Sequence, residues 1–189
     1  MIRQTILDNS LVTSLVVPPV RCLEVAMTVA AVISADEGDP VPALGMEMKV
    51  RRRHLDGLFV VEATIGPGAV VFPHTHSRED ECSYLLSGEL TYLIGDEVRV
   101  ASAGSYVVRP RGIRHAFWNA LGTPARIIEM HTPATFDGFY DRVGAILTGP
   151  GLDTPRGRAA FDELSAEYGL VQHWDQVPGL IDRYGMGRR

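Results

Sequence analysis

From about residue 58 to residue 130 the chain alternates short apolar runs with turn-forming clusters. Residues 58–65 form one run and end at Gly66-Pro67-Gly68. Residues 70–72 begin another. Residues 90–94 and 98–100 flank Gly95-Asp96-Glu97, which reads as a hairpin turn. Residues 105–109, 116–119 and 125–130 continue the pattern. Runs this short, each closed by a turn signal, predict a mainly β fold of the sandwich or jelly-roll barrel kind.

Beyond residue 134 the period changes. Phe136, Phe139, Tyr140, Val143 and Leu147 recur at helical spacing. Thr154 and Pro155 suit the N-cap and first position of a second helix. Phe161, Leu164 and Tyr168 follow on one face, with Gly169 as its expected C-cap. These aromatics are expected as core contacts against the outer sheet, and residues 177–185 as a short tail. At the other end, residues 11–17 look like a strand stopped by Pro18-Pro19. Residues 23–33 are apolar and fit strand or helix equally, and residues 36–40 read as a turn or linker. The expected division is an N-terminal extension over 1–43, a barrel over 44–133 and C-terminal helices over 134–189. The extension is expected to wrap the barrel or to pair with a second subunit, in a homodimer.

Charge narrows the partners. With 18 basic and 23 acidic residues the net charge is −5, so there is no basic excess to meet phosphates, and no nucleic-acid partner is expected. The cluster Arg51-Arg52-Arg53-His54 reads as a solvated strand end. Two cysteines do not make a disulfide framework, and the simplest setting is a reducing one. The most apolar N-terminal stretch falls far short of the roughly 20 residues a membrane helix needs, and Asp8 and Pro18-Pro19 interrupt any secretory signal. No membrane association and a cytoplasmic location are therefore expected.

The candidate chemistry sits in the middle of the β-rich region. His74 and His76, at i and i+2 of a strand, point to one face and suit a chelating pair. After the short polar turn 77–80, Glu81 opens the next apolar run and offers a third ligand. His115 follows the turn Pro110-Arg111-Gly112 and offers a fourth. Imidazoles and a carboxylate without thiolates suit one divalent transition ion: iron, manganese, nickel, cobalt, copper or zinc. Four protein ligands leave positions open, which is a catalytic arrangement. If these side chains point inward, so do Phe72, Ser83, Leu85 and Phe117, and Cys82 and Trp118 face outward. Asn119 is expected to tie down a turn. The pocket is then mainly apolar, fitted to a small apolar or aromatic substrate. Arg109 and Arg114, which flank this segment, are expected at the mouth or in solvent.

The glycine and proline framework around these ligands carries a family resemblance. Gly68, His74, His76, Glu81 and Gly88 fall at the spacings of the first cupin motif. Gly104, Pro110, Gly112, His115 and Asn119 fall at those of the second. The chain thus resembles a single-domain cupin, closely over about residues 58–133, and is similar to the quercetin 2,3-dioxygenase-like group. The resemblance implies a double-stranded β-helix, with His74, His76, Glu81 and His115 as metal ligands. It also implies a second role for Glu81 as the base that deprotonates a substrate hydroxyl. The leading expectation is a metal-dependent dioxygenase of an aromatic or enolic hydroxyl compound. The alternatives are a metal-dependent isomerase, lyase or hydrolase, or a module that binds a small molecule without turnover.

Overall fold

A computed structural model describes residues 30–185. Eleven strands run in the order β1 (Asp39–Val41), β2 (Met46–Val50), β3 (Phe59–Ile65), β4 (Val70–His76), β5 (Asp80–Ser87), β6 (Glu89–Ile94), β7 (Glu97–Ser102), β8 (Tyr106–Arg109), β9 (His115–Trp118), β10 (Ala125–Thr132) and β11 (Leu170–Gln172). Two helices, α1 (Asp137–Thr148) and α2 (Pro155–Glu167), precede β11, and a third, α3 (Val177–Tyr184), follows it. The strands form two antiparallel sheets, β1-β2-β3-β10-β5-β8 and β11-β4-β9-β6-β7. From β3 onward consecutive strands switch between the sheets, save for the β6–β7 hairpin, as in a cupin-like jelly roll. The expected strand at residues 11–17, and most of the apolar stretch 23–33, lie outside the described residues.

Alternation sets the barrel interior. On β3, Phe59, Val61, Ala63 and Ile65 are buried, and the intervening residues are not. Ala63 and Ile65 join Leu85, Leu90, Tyr92, Phe117 and Ile127 in a core between the sheets. Strand β9 is buried on both faces. Its outward Trp118 packs against Val177, Leu180, Ile181 and Tyr184. Residues 177–185, expected as a tail, are thus mostly a helix that covers the five-stranded sheet. The sequence reading missed it because a single turn or two of amphipathic pattern is too short to show a period.

The motif glycines sit where the backbone demands them. Gly68, Gly88, Gly104 and Gly112 all have positive φ. Gly88 has a further constraint: at φ +77° a Cβ would lie 2.8 Å from Ala125 Cα, so no other residue fits between β5, β6 and β10. Asn119 does tie down a turn, donating from Nδ2 to the carbonyls of Ile65 and Thr123 and accepting from Leu121 N–H.

The C-terminal elements are bound tightly to the barrel. Thr154 caps α2 by accepting from Gly157 N–H at 3.0 Å, with Pro155 in the first turn. Gly169, just past the helix, takes φ +72°. The chain then pairs with β4 as β11, a strand with no counterpart in the sequence reading; Leu170 faces His76, and Gln172 faces His74. Arg51 is not solvated as expected. It is largely buried and pairs with Asp39, Asp137 and Asp141, pinning α1 to β1. No helix among the described residues is long and apolar enough to cross a membrane.

Candidate metal centre

The barrel brings the four candidate ligands to one point. His74 and His76 leave β4 on one face, and His115 lies directly opposite His74 on β9. Glu81 reaches in from β5, in the other sheet, because the turn after His76 is only three residues long. One ligating atom of each lies within 4.8 Å of the others, and all four side chains are buried.

Neighbouring groups fix how these side chains point. His74 Nδ1 lies 2.7 Å from the Phe72 carbonyl, and His115 Nδ1 lies 2.9 Å from that of Ile113. A carbonyl only accepts, so each Nδ1 carries the proton and each Nε2 turns an open lone pair to the centre. His76 Nδ1 faces the Glu79 carboxylate at 3.3 Å, and Glu79 in turn accepts from the Thr135 hydroxyl. Around Glu81, His76 Nε2 stands at 3.2 Å, His115 Nε2 at 2.6 Å and His131 Nδ1 at 3.1 Å.

Burial and charge compete at each group. Burial pushes the His74 imidazolium well below its ordinary range, helped by His115 and His76. Burial also opposes charge on His76, but Glu81 and Glu79 outweigh it and push its pKa up to about 9. Burial favours the neutral form of Glu81. Arg109 and His76 outweigh it and hold the carboxyl well below the usual carboxylate range.

The donor set fits an ion. His115 Nε2 stands 2.6 Å from a Glu81 oxygen; with the ring neutral and its proton on Nδ1, a lone pair of each atom points at the other. Two lone pairs at that distance repel unless a proton or a cation lies between them. Three inward imidazole nitrogens and one carboxylate suit a divalent transition metal, with room for further ligands.

Above the ligands lies a cavity of about 250 Å³. His74, His76 and Glu81 reach it, and so do Phe72 and Phe117 from the expected pocket set. Ser83 and Leu85 lie deeper and are not among its lining residues. Ser83 donates to Glu129 at 2.7 Å, and Leu85 belongs to the barrel core. Most of the remaining wall comes from the C-terminal part: Phe136, Phe139, Tyr140, Leu147 and Phe161. The helical aromatics therefore do more than cover a sheet; they roof the candidate metal centre.

Several site residues were misplaced by the sequence reading or had no place in it. Arg109 was expected at the mouth or in solvent, but it is 1% exposed. It pairs with Glu129, stands 3.4 Å from Glu81 and lies over the rings of Tyr92 and Phe117. Val107 and Arg109 share the inner face of β8, and only a charged residue at the second position hides the alternation. Likewise Ile127, Glu129 and His131 share the inner face of β10. Period two along β10 was the available signal for Glu129 and His131. Arg114 lies at the β6–β7 hairpin, where it pairs with Asp96 and the Gly95 carbonyl.

Comparison with known proteins agrees with this architecture. Residues 61–131 match the family model described as "Cupin domain". That segment holds all four candidate ligands, and the match covers it and not the rest of the chain. No curated protein sequence matches the chain. Among solved structures, KdgF from Halomonas sp. is 22% identical, with 55% of this chain and 94% of that one covered at TM-score 0.47. An RmlC-like cupin from Shewanella frigidimarina is 21% identical, with 57% and 96% covered at 0.48. A protein described as a predicted oxalate decarboxylase from Thermotoga maritima is 19% identical, with 55% and 99% covered at 0.49. At these values the neighbours carry no argument about chemistry.

Proposed function

We propose that this protein is a metal-dependent enzyme acting on a small, mainly apolar molecule that bears an ionisable hydroxyl, with dioxygenation of an aromatic or enolic compound as the reaction. One observation carries the reading: a buried three-histidine, one-carboxylate quartet opens into an apolar chamber. A divalent ion held by His74, His76, Glu81 and His115 would supply Lewis acidity and, if redox-active, a route for electrons to dioxygen.

The chain's own residues set the rest. The aromatic roof excludes water and orients a flat substrate above the ligands. About 250 Å³ lies below the roughly 300–1,000 Å³ of pockets for drug-sized molecules, which favours a compact substrate. Glu81 would take the substrate's hydroxyl proton on its carboxylate. Arg109 keeps that carboxylate ionised, so Glu81 is a weak base and selects an acidic hydroxyl, as in enols and electron-poor phenols.

The test joins elemental analysis of the purified protein with oxygen uptake on a panel of phenols, enediols and flavonols. Oxygen uptake that requires the metal supports the proposal. Glu81→Gln with metal retained should lose at least about a hundredfold in turnover; undiminished turnover removes Glu81 from the chemistry. A second reading, non-redox isomerisation or elimination, is favoured by Glu129, a second carboxylate on the cavity wall. Product formation with zinc and without oxygen selects it.

A further inference from the structure

The two sheets differ in what covers their outer faces. Helix α3 seals the five-stranded sheet over Trp118. Nothing among the described residues plays that part on the six-stranded sheet. Registry places Ile128 beside Tyr84, Tyr84 beside Tyr106, Met130 beside Cys82 and Cys82 beside Val108, all on the outward face. Tyr106 is 68% exposed and Val108 61%. This apolar patch crosses β10, β5 and β8 without interruption. Its charges sit at its margin, already paired: Glu62, beside Ile128 on the β3 flank, with Arg126, and Asp80 with Arg111 at one end. Cys82, Tyr84, Ile128 and Met130 are half-buried, and with the exposed Tyr106 and Val108 they form a continuous apolar face of the kind that marks a contact surface.

Size indicates what the contact is. Strands about 4.8 Å apart, with two or three outward residues each, make a patch on the order of 250 Å² in plan. A stable dimer buries about 800 Å² on each partner. The patch is too small for a second barrel and suits a single segment of chain.

The sequence supplies such a segment. Sixteen of residues 1–29 are Ala, Val, Ile, Leu, Met or Cys, and the four charges, Arg3, Asp8, Arg21 and Glu24, sum to zero. A stretch this apolar and neutral lacks the composition of a solvated tail. It joins the barrel at β1, an edge of this same sheet. There Lys49, which shares the outward side with Glu47, bonds the carbonyls of Ala35 and Glu37. Between this anchor and residue 17 lie residues 18–34, which reach up to about 56 Å, and four strand spacings from β2 to β8 are about 19 Å. We propose that the outer face of the six-stranded sheet is the docking surface for this chain's own N-terminal segment, with residues 11–17 as the part that seats there. The proposal is independent of the metal centre.

The two cysteines give a direct test. Cys82 lies in the patch, and Cys22 is the other. In the full chain carrying Cys22→Ser, Cys82 is the only thiol, and its rate of reaction with a disulfide reagent reports cover. Adding Leu15→Asp and Val17→Asp, or instead Tyr106→Asp and Val108→Asp at exposed positions of the face, should speed that reaction at least about tenfold by opening the contact. Circular dichroism should not change. Equal rates in all three proteins overturn the proposal. Sedimentation that shows a dimer, with protection of Cys82 lost on dilution, also overturns it and assigns the face to a second copy.

Discussion

Replacing Arg109 with methionine tests how the floor of the barrel is held together. The guanidinium is 1% exposed and faces two carboxylates that are themselves buried, Glu129 and Glu81. Methionine keeps much of the volume over Tyr92 and Phe117 but removes the charge. Breaking one side of a buried ion pair leaves the other charge uncompensated, at a cost of about 3–5 kcal/mol. Glu129 keeps only its bond from Ser83. Glu81 keeps its histidines, so the estimate belongs mainly to Glu129. For a chain of this size about 2–4 °C of melting temperature accompanies each kcal/mol, so the midpoint should fall by roughly 6–20 °C.

Urea and thermal unfolding of the chelator-treated protein measure this directly. The double variant Arg109→Met, Glu129→Met is the sharper arm. Exchanging both members of a buried pair for apolar groups is often neutral, so the double variant should recover most of the loss. As a control, Arg142→Met breaks an exposed pair with Glu167 and should leave the midpoint where it is. A single-variant loss below about 1 kcal/mol would refute the reasoning, since that is what a surface pair costs. So would a double variant no more stable than the single one, because the penalty would then come from lost packing.

Three further outcomes are expected. His115→Ala should bring the purified protein close to metal-free by elemental analysis with the fold retained, because it removes one of the three inward imidazoles of the quartet. Gly88→Ala should cost about 1–3 kcal/mol in urea unfolding, since it combines positive φ with a Cβ against the Ala125 backbone; no loss would mean that β10 moves aside freely. Thr154→Ala should cost about 1 kcal/mol by removing the cap on α2, and Thr154→Asp should restore it.

The quartet was legible because its spacing and its turns are both local. His74 and His76 fix a face by period two. Glycines at positive φ then mark the turns that return Glu81 and His115 to it. Arg109, Glu129 and His131 were hidden for a physical reason: a charged residue at an inward position reads as a break in the apolar pattern, and only pairing with another inward charge makes it tolerable. Arg109 and Glu129 come from strands 20 residues apart in sequence, so neither position alone reveals the other. The roof was hidden differently. The period showed a helix with Phe136, Phe139 and Tyr140 on one side. It did not show over which opening that side would close.

That opening is decided by β11, three residues long and too short to be seen by alternation. By pairing with His74, Thr75 and His76 it ties the helices to the strand that carries two of the ligands. His173 adds a bond from its ring to the Thr75 hydroxyl at 2.8 Å. Roof and ligands therefore share one strand. A change that loosens β11 should disturb both the shape of the apolar chamber and the positions of His74 and His76. In the proposed enzyme, selecting a substrate and holding an ion would be coupled through β4, because β11 pairs with the strand that carries His74 and His76.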